Sequence, residues 1–114
     1  AKLTARKYHG IAASSARQVF VDPSVDAAII ASTTDSHAEL LDLALEHHKP
    51  VLVEMPLTTS ALSGNDYAKR FTDAHLLAMP DLCRRFAHNY IQLRTCICDD
   101  SLGDIELLQI SSKL

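Results

Sequence analysis

Two short polar stretches hold the residues best suited to chemistry: Ser32-Thr33-Thr34-Asp35-Ser36-His37 and Glu54-Met55-Pro56-Leu57. Each follows an apolar run, residues 25–31 in the first case and Val51-Leu52-Val53 in the second. In open parallel sheets, ligands bind outside the carboxyl ends of the strands, which is where loops of this kind lie. The Thr33, Thr34 and Ser36 hydroxyls are suited to bond a phosphate or a ribose, and the amides opening the following helix favour negative charge. The competing reading is that Ser36 or Asp35 only caps that helix. His37, in its first turn, reads either as a ligand contact or as a satisfied structural histidine. Glu54 reads either as a carboxylate holding ribose hydroxyls or as a solvated loop residue.

The elements that would position these loops follow from hydrophobic spacing. Residues 25–31 form a nearly continuous apolar run, as expected of a strand buried on both faces of a parallel sheet. A helix is expected over residues 36–48, with Leu40, Leu41, Ala44 and Leu45 on one face and Lys49-Pro50 ending it. Val51-Leu52-Val53 is a second strand and residues 75–79 a third, separated by a helix that Thr59 or Ser60 opens and that runs to about Asp73. Before them come a short helix over residues 2–9 closed by Gly10, a brief strand at 11–13, and a helix capped by Ser14 or Ser15 and ended at Asp22-Pro23. After them, residues 84–98 read as one amphipathic helix carrying Phe86, Tyr90, Leu93 and Ile97, and residues 104–112 alternate like a strand. Strands alternating with helices through short loops imply right-handed βαβ units.

Composition narrows the function classes. A chain of 114 residues has room for one modest core. The net charge is −3, with Lys and Arg scattered, so there is no basic footprint for nucleic acid or an anionic membrane. No apolar run approaches the roughly 20 residues needed to span a bilayer, and the start has no signal-peptide core. Cys83, Cys96 and Cys98 are odd in number and lack a framework spacing, which argues for reduced thiols and a cytoplasmic setting. Cys83 is expected to be buried. Cys96 and Cys98 sit two apart on a helix and do not face each other, so no metal site is assigned.

The run VDAAIIASTTDSHAELLDLALEHHKPVLVEMPL, with Arg84-Arg85-Phe86 and Leu102-Gly103 after it, resembles the glucose–fructose oxidoreductase and inositol dehydrogenase (Gfo/Idh/MocA) family. The likeness covers nearly the whole chain, and its ending is nearest the inositol 2-dehydrogenase branch. It implies an α/β fold: a partial Rossmann-type parallel sheet, first two strands missing, that binds NAD or NADP over residues 1–101. Residues 102–114 would open a C-terminal α/β domain. By resemblance, Ser32, Thr33, Thr34, His37, Glu54 and Pro56 face the cofactor, Pro56 follows a cis peptide bond, and Arg85 lines the substrate cleft. No catalytic residue is carried over. Met55 stands where the family has its lysine, and a thioether can relay no proton. Thr33 stands where a proline is common, and the family's later aspartate and histidine would fall beyond Leu114. Gly10, Gly64 and Gly103 are the only glycines, and none follows a strand and opens a helix as G-x-G-x-x-G requires.

The reading that follows is a truncated or degenerate member of an NAD(P)-dependent sugar or polyol oxidoreductase family, binding cofactor weakly and not catalytic as it stands. The alternative is a non-enzymatic module that associates with itself or a protein partner through an exposed sheet edge. A stand-alone receiver or flavin-binding domain fits less well, for want of an acidic cluster or a phosphate loop near the first strand.

Overall fold

A computed structural model describes residues 2–109. They form two compact units, Ala1–Asp81 and Leu82–Leu114, and each is described by itself.

The first unit is built on a parallel three-stranded sheet in the order β1-β2-β3, comprising Ala28–Ile30, Val51–Val53 and Ala78–Pro80. α1 (Lys2–Lys7) and α2 (Ala16–Val21) precede the sheet, α3 (Thr34–Glu46) joins β1 to β2, and α4 (Ala61–Asp73) joins β2 to β3. Local chemistry sets several of these limits. The Ser15 hydroxyl accepts from the Gln18 amide at the start of α2, and Ser60 accepts from Ser63 at the start of α4, so an N-cap oxygen serves each helix as expected. His9, His48 and His75 take positive φ just past α1, α3 and α4, the left-handed position that closes a helix. The first helix therefore closes on His9 rather than on Gly10, and no strand forms at residues 11–13.

One face of the sheet carries the core. Ile30, Val51 and Val53 are buried with Leu41, Leu43 and Ala44 of α3, Phe20 of α2, and Tyr67 and Phe71 of α4. Tyr67 also donates its hydroxyl to the Ala38 carbonyl at 3.0 Å, and Arg70 reaches Asp42 at 2.8 Å, so polar contacts join α4 to α3 beside the apolar ones. Burial raises the Tyr67 phenol above its ordinary range, and Asp42 adds to the effect.

The opposite face departs from the expectation of a strand buried on both sides. Ile29, Leu52 and Met79 are register partners across the three strands. Side chains alternate along a strand, so all three turn away from the buried row. Ile29 is 76% exposed and Met79 46%. The edge of β1 is open as well. Ala28 donates to Pro50 O at 3.0 Å and Ile30 O accepts from Glu54 at 2.9 Å, so these peptide groups turn toward β2. The N–H and C=O of Ile29 point to the other side, where no strand pairs with β1 among the described residues.

The second unit contains a 3-10 turn, Cys83–Phe86, and α5, His88–Cys98. The single helix expected over residues 84–98 is thus broken at Ala87, whose ψ of 134° is extended. Cys83 is exposed, not buried. Residues 104–109 do not form the expected strand, and residues 110–112 of that expectation lie outside the described residues. The divide between the units falls at residue 82, within the stretch assigned above to one domain ending at residue 101.

One-sided burial gives a direct contrast. Leu41→Ala, at a fully buried position, is expected to cost about 2–5 kcal/mol of unfolding free energy. Ile29→Thr, on the uncovered face, is expected to change it by no more than about 0.5 kcal/mol. Urea denaturation of the two variants measures both.

Candidate functional site

The carboxyl ends of β1 and β2 lie side by side because the strands are parallel neighbours with Ile30 opposite Val53. The loop entering α3 and the Glu54–Leu57 loop are therefore brought together, and five of the six expected cofactor-facing residues are in or between these loops at accessible or half-buried positions. The sixth, His37, is not at the surface.

The first loop starts α3 without a side-chain cap. Thr33 is the N-cap residue, and its own hydroxyl makes no capping bond. Neither Ser36 nor Asp35 caps the helix, because α3 already begins at Thr34. The Ser36 hydroxyl turns back to donate to Thr33 O at 2.7 Å and also meets the Ser32 hydroxyl at 2.7 Å. These two serines thus brace the loop. The Thr33 and Thr34 hydroxyls make no hydrogen bond among the described residues, so the donors left for a ligand are theirs and the first amides of α3.

In the second loop, Glu54 is exposed and its Oε2 accepts from the Met55 amide at 2.9 Å. The other carboxylate oxygen is free to accept hydroxyls of a sugar. The Met55–Pro56 peptide bond is cis, as the resemblance implied. Met55, 48% exposed, presents a thioether to solvent. Uncharged and without a proton to give, it adds apolar surface at the strand end and no acid–base function.

His37 lies between the loops at 1% exposure. Its Nδ1 is 3.1 Å from Pro56 O and 3.3 Å from Leu57 O, and its Nε2 is 3.1 Å from Ser32 O. Both ring nitrogens therefore face main-chain carbonyls, and a neutral ring can donate from only one of them. In this structure the ring is interior, at 1% exposure, rather than presented at the loop surface. Sequence reasoning missed its partners for a plain reason: they are backbone carbonyls, which no residue type announces.

Arg85 is exposed on the 3-10 turn of the second unit. It lines an open groove of about 360 Å3 with Ile91, Arg94, Thr95, Cys98 and Asp99. Arg94 was not singled out from the sequence, where an isolated arginine on a helix carries no spacing signal. Hydrogen bonds from Ser101 hold the Asp99 carboxyl below the usual carboxylate range, so the groove contains a carboxylate beside its two guanidinium groups.

Comparison with known proteins places this geometry. The family model described as "Oxidoreductase family, NAD-binding Rossmann fold" (GFO_IDH_MocA) matches residues 1–82. Inositol 2-dehydrogenase of Rhodococcus jostii (strain RHA1) is 39% identical over 87 residues, covering 75% of this chain and 24% of that protein. Among solved structures, a probable dehydrogenase from Thermotoga maritima superposes with a TM-score of 0.83 at 23% identity, covering 90% of this chain and 31% of the other. Apo scyllo-inositol dehydrogenase from Lactobacillus casei gives 0.72 at 21% identity, over 80% of this chain and 27% of the other. These two structural likenesses carry the fold alone. The chain spans about a quarter of the length of the curated relatives it matches. A match over residues 1–82, on a parallel sheet whose strand-end loops carry Thr34 and Glu54, makes this chain a member of the Gfo/Idh/MocA oxidoreductase family.

Proposed function

We propose that these residues form the strand-end, nucleotide-facing part of an NAD(P)-binding Rossmann domain in a sugar or polyol oxidoreductase of the inositol dehydrogenase type. The 114 residues do not transfer hydride as they stand. The observation that carries the reading is the juxtaposition of two loops, one offering Thr33, Thr34 and uncapped helix amides, the other offering Glu54.

These groups fit the ribose and nicotinamide end of a dinucleotide. Hydroxyls and amides donate, and the carboxylate oxygen of Glu54 not engaged with Met55 accepts from ribose hydroxyls. Nothing in the 114 residues supplies the glycine-rich turn that would hold the pyrophosphate. A bound NAD(P) supplies the hydride acceptor, and this chain's part is to orient it. Proton movement at the reacting oxygen has no carrier at Met55. Residues 102–114 are proposed to open the C-terminal domain, and the compartment is proposed to be cytoplasmic, in keeping with three cysteines that form no disulfide.

A second reading is favoured by the exposed Ile29 and Met79, with Leu52 half-buried between them, beside the unpaired edge of β1. In this reading the isolated chain associates with itself through β1. An open, uncharged strand edge is a template for pairing, and no proline or charge protects this one.

Three measurements test these readings. Titration calorimetry of the 114-residue chain with NADH is expected to show binding no tighter than about 1 mM, roughly −4 kcal/mol. Micromolar binding would place the phosphate grip in some other element. In a longer form that turns over polyols or sugars, Met55→Lys is expected to raise kcat by about 100-fold, the scale of acid–base assistance. Equal rates would mean the proton is handled elsewhere. For the second reading, sedimentation across concentration should show self-association that Ile29→Lys weakens at least about tenfold. A monomer at every concentration would end that reading.

A further inference from the structure

We propose that His37 is a positioning residue: a buried clamp that sets the distance between the two strand-end loops from below, and not a group that touches the cofactor. The proposal rests on the reading of those loops as nucleotide-facing only for its functional consequence. The state of the ring is measured without any cofactor.

The geometry is one-sided in chemistry. Three acceptors surround the imidazole: Pro56 O and Leu57 O at Nδ1, Ser32 O at Nε2. A carbonyl oxygen cannot donate, so each contact is a hydrogen bond only where the ring nitrogen carries its proton. A neutral imidazole has one N–H. Placed on Nδ1, that hydrogen meets two carbonyls. Placed on Nε2, it meets one and leaves the Nδ1 lone pair facing two oxygens. Of the two neutral forms, the surroundings therefore favour the one protonated at Nδ1, with the proton shared between Pro56 O and Leu57 O.

That choice has a structural effect. His37 belongs to the first turn of α3, whose position is set by core packing through Leu41 and Ala44. A bond from Nδ1 transmits that position to the carbonyls of the Pro56–Leu57 and Leu57–Thr58 peptides, and hence to Glu54 and Met55 just before them. Ser32 O, facing Nε2, is the looser side of the clamp. Deprived of the imidazole, the Pro56 and Leu57 carbonyls lose their part-buried donor, and such groups are costly to leave unpaired.

A space-filling role and a clamping role make opposite demands at this site. Leu is apolar and can fill the volume, but offers no donor. Gln has a donor of comparable reach, but is less suited to an apolar pocket. Hydrogen exchange on the 114-residue chain separates the two. Under the clamp, His37→Leu is expected to speed exchange at the Glu54 amide, which bonds Ile30 O, at least about tenfold relative to Leu45 in α3, and His37→Gln to restore most of the protection. Leu protecting as well as His, with Gln worse, would overturn the proposal. Should neither variant fold, nitrogen-15 spectra of the wild-type ring decide. A protonated Nδ1 supports the clamp, and an Nδ1 without its proton overturns it.

Discussion

The packing of α3 against one face of β1 and β2 is the constraint on which the first unit depends. Leu41 and Ala44 are wholly buried there, with Ile30, Val51 and Val53 beneath them. Because the strands are parallel, the helix must run back over the sheet, and its N-terminus rises from the carboxyl end of β1. The position of the Thr33–His37 turn is thus fixed by apolar burial several residues away. α2 and α4 extend the same layer through Phe20, Tyr67 and Phe71.

Polar detail is placed upon that packing. Ser32 and Ser36 brace the loop, their hydroxyls meeting each other and that of Ser36 donating to Thr33 O. His37 holds the next loop from inside. The groups left outward are Thr33, Thr34, the first amides of α3, and one oxygen of Glu54. A small number of oriented donors and an acceptor on a rigid scaffold suits a ligand rich in hydroxyl and amide groups. Such a set can orient one end of a dinucleotide.

The uncovered face follows from parity. Residues that alternate with the core row on each strand must turn the other way, whatever their hydropathy. Ile29, Leu52 and Met79 are as apolar as their buried neighbours. The exposure of Ile29 and Met79, with Leu52 half-buried between them, comes from the absence of a packed layer on that side among the described residues of the unit, not from their side chains. The apolar row that reads as part of a buried strand in sequence is left without a packed layer in this unit.

The sequence alone carried the family resemblance and the element types from β1 to β3. An unbroken apolar run of β-strand length, a helical spacing of leucines and a Lys49-Pro50 break are local signals, each set by the residues themselves. Ser15 and Ser60 are local too, since a capping hydroxyl needs only the amide two or three residues on. The motif residues at 31–37 and 54–56 were legible for the same reason. Only the tertiary structure decided which of them are available. His37 and Glu54 looked alike as polar residues near a strand end. One is sealed between carbonyls and the other stands in solvent, because that outcome depends on where the β2 loop passes over α3. It likewise decided that Ala87 interrupts a continuous helical pattern and that residues 104–109 are not a strand. A strand needs hydrogen-bonding partners from another segment, and an alternating pattern cannot provide them.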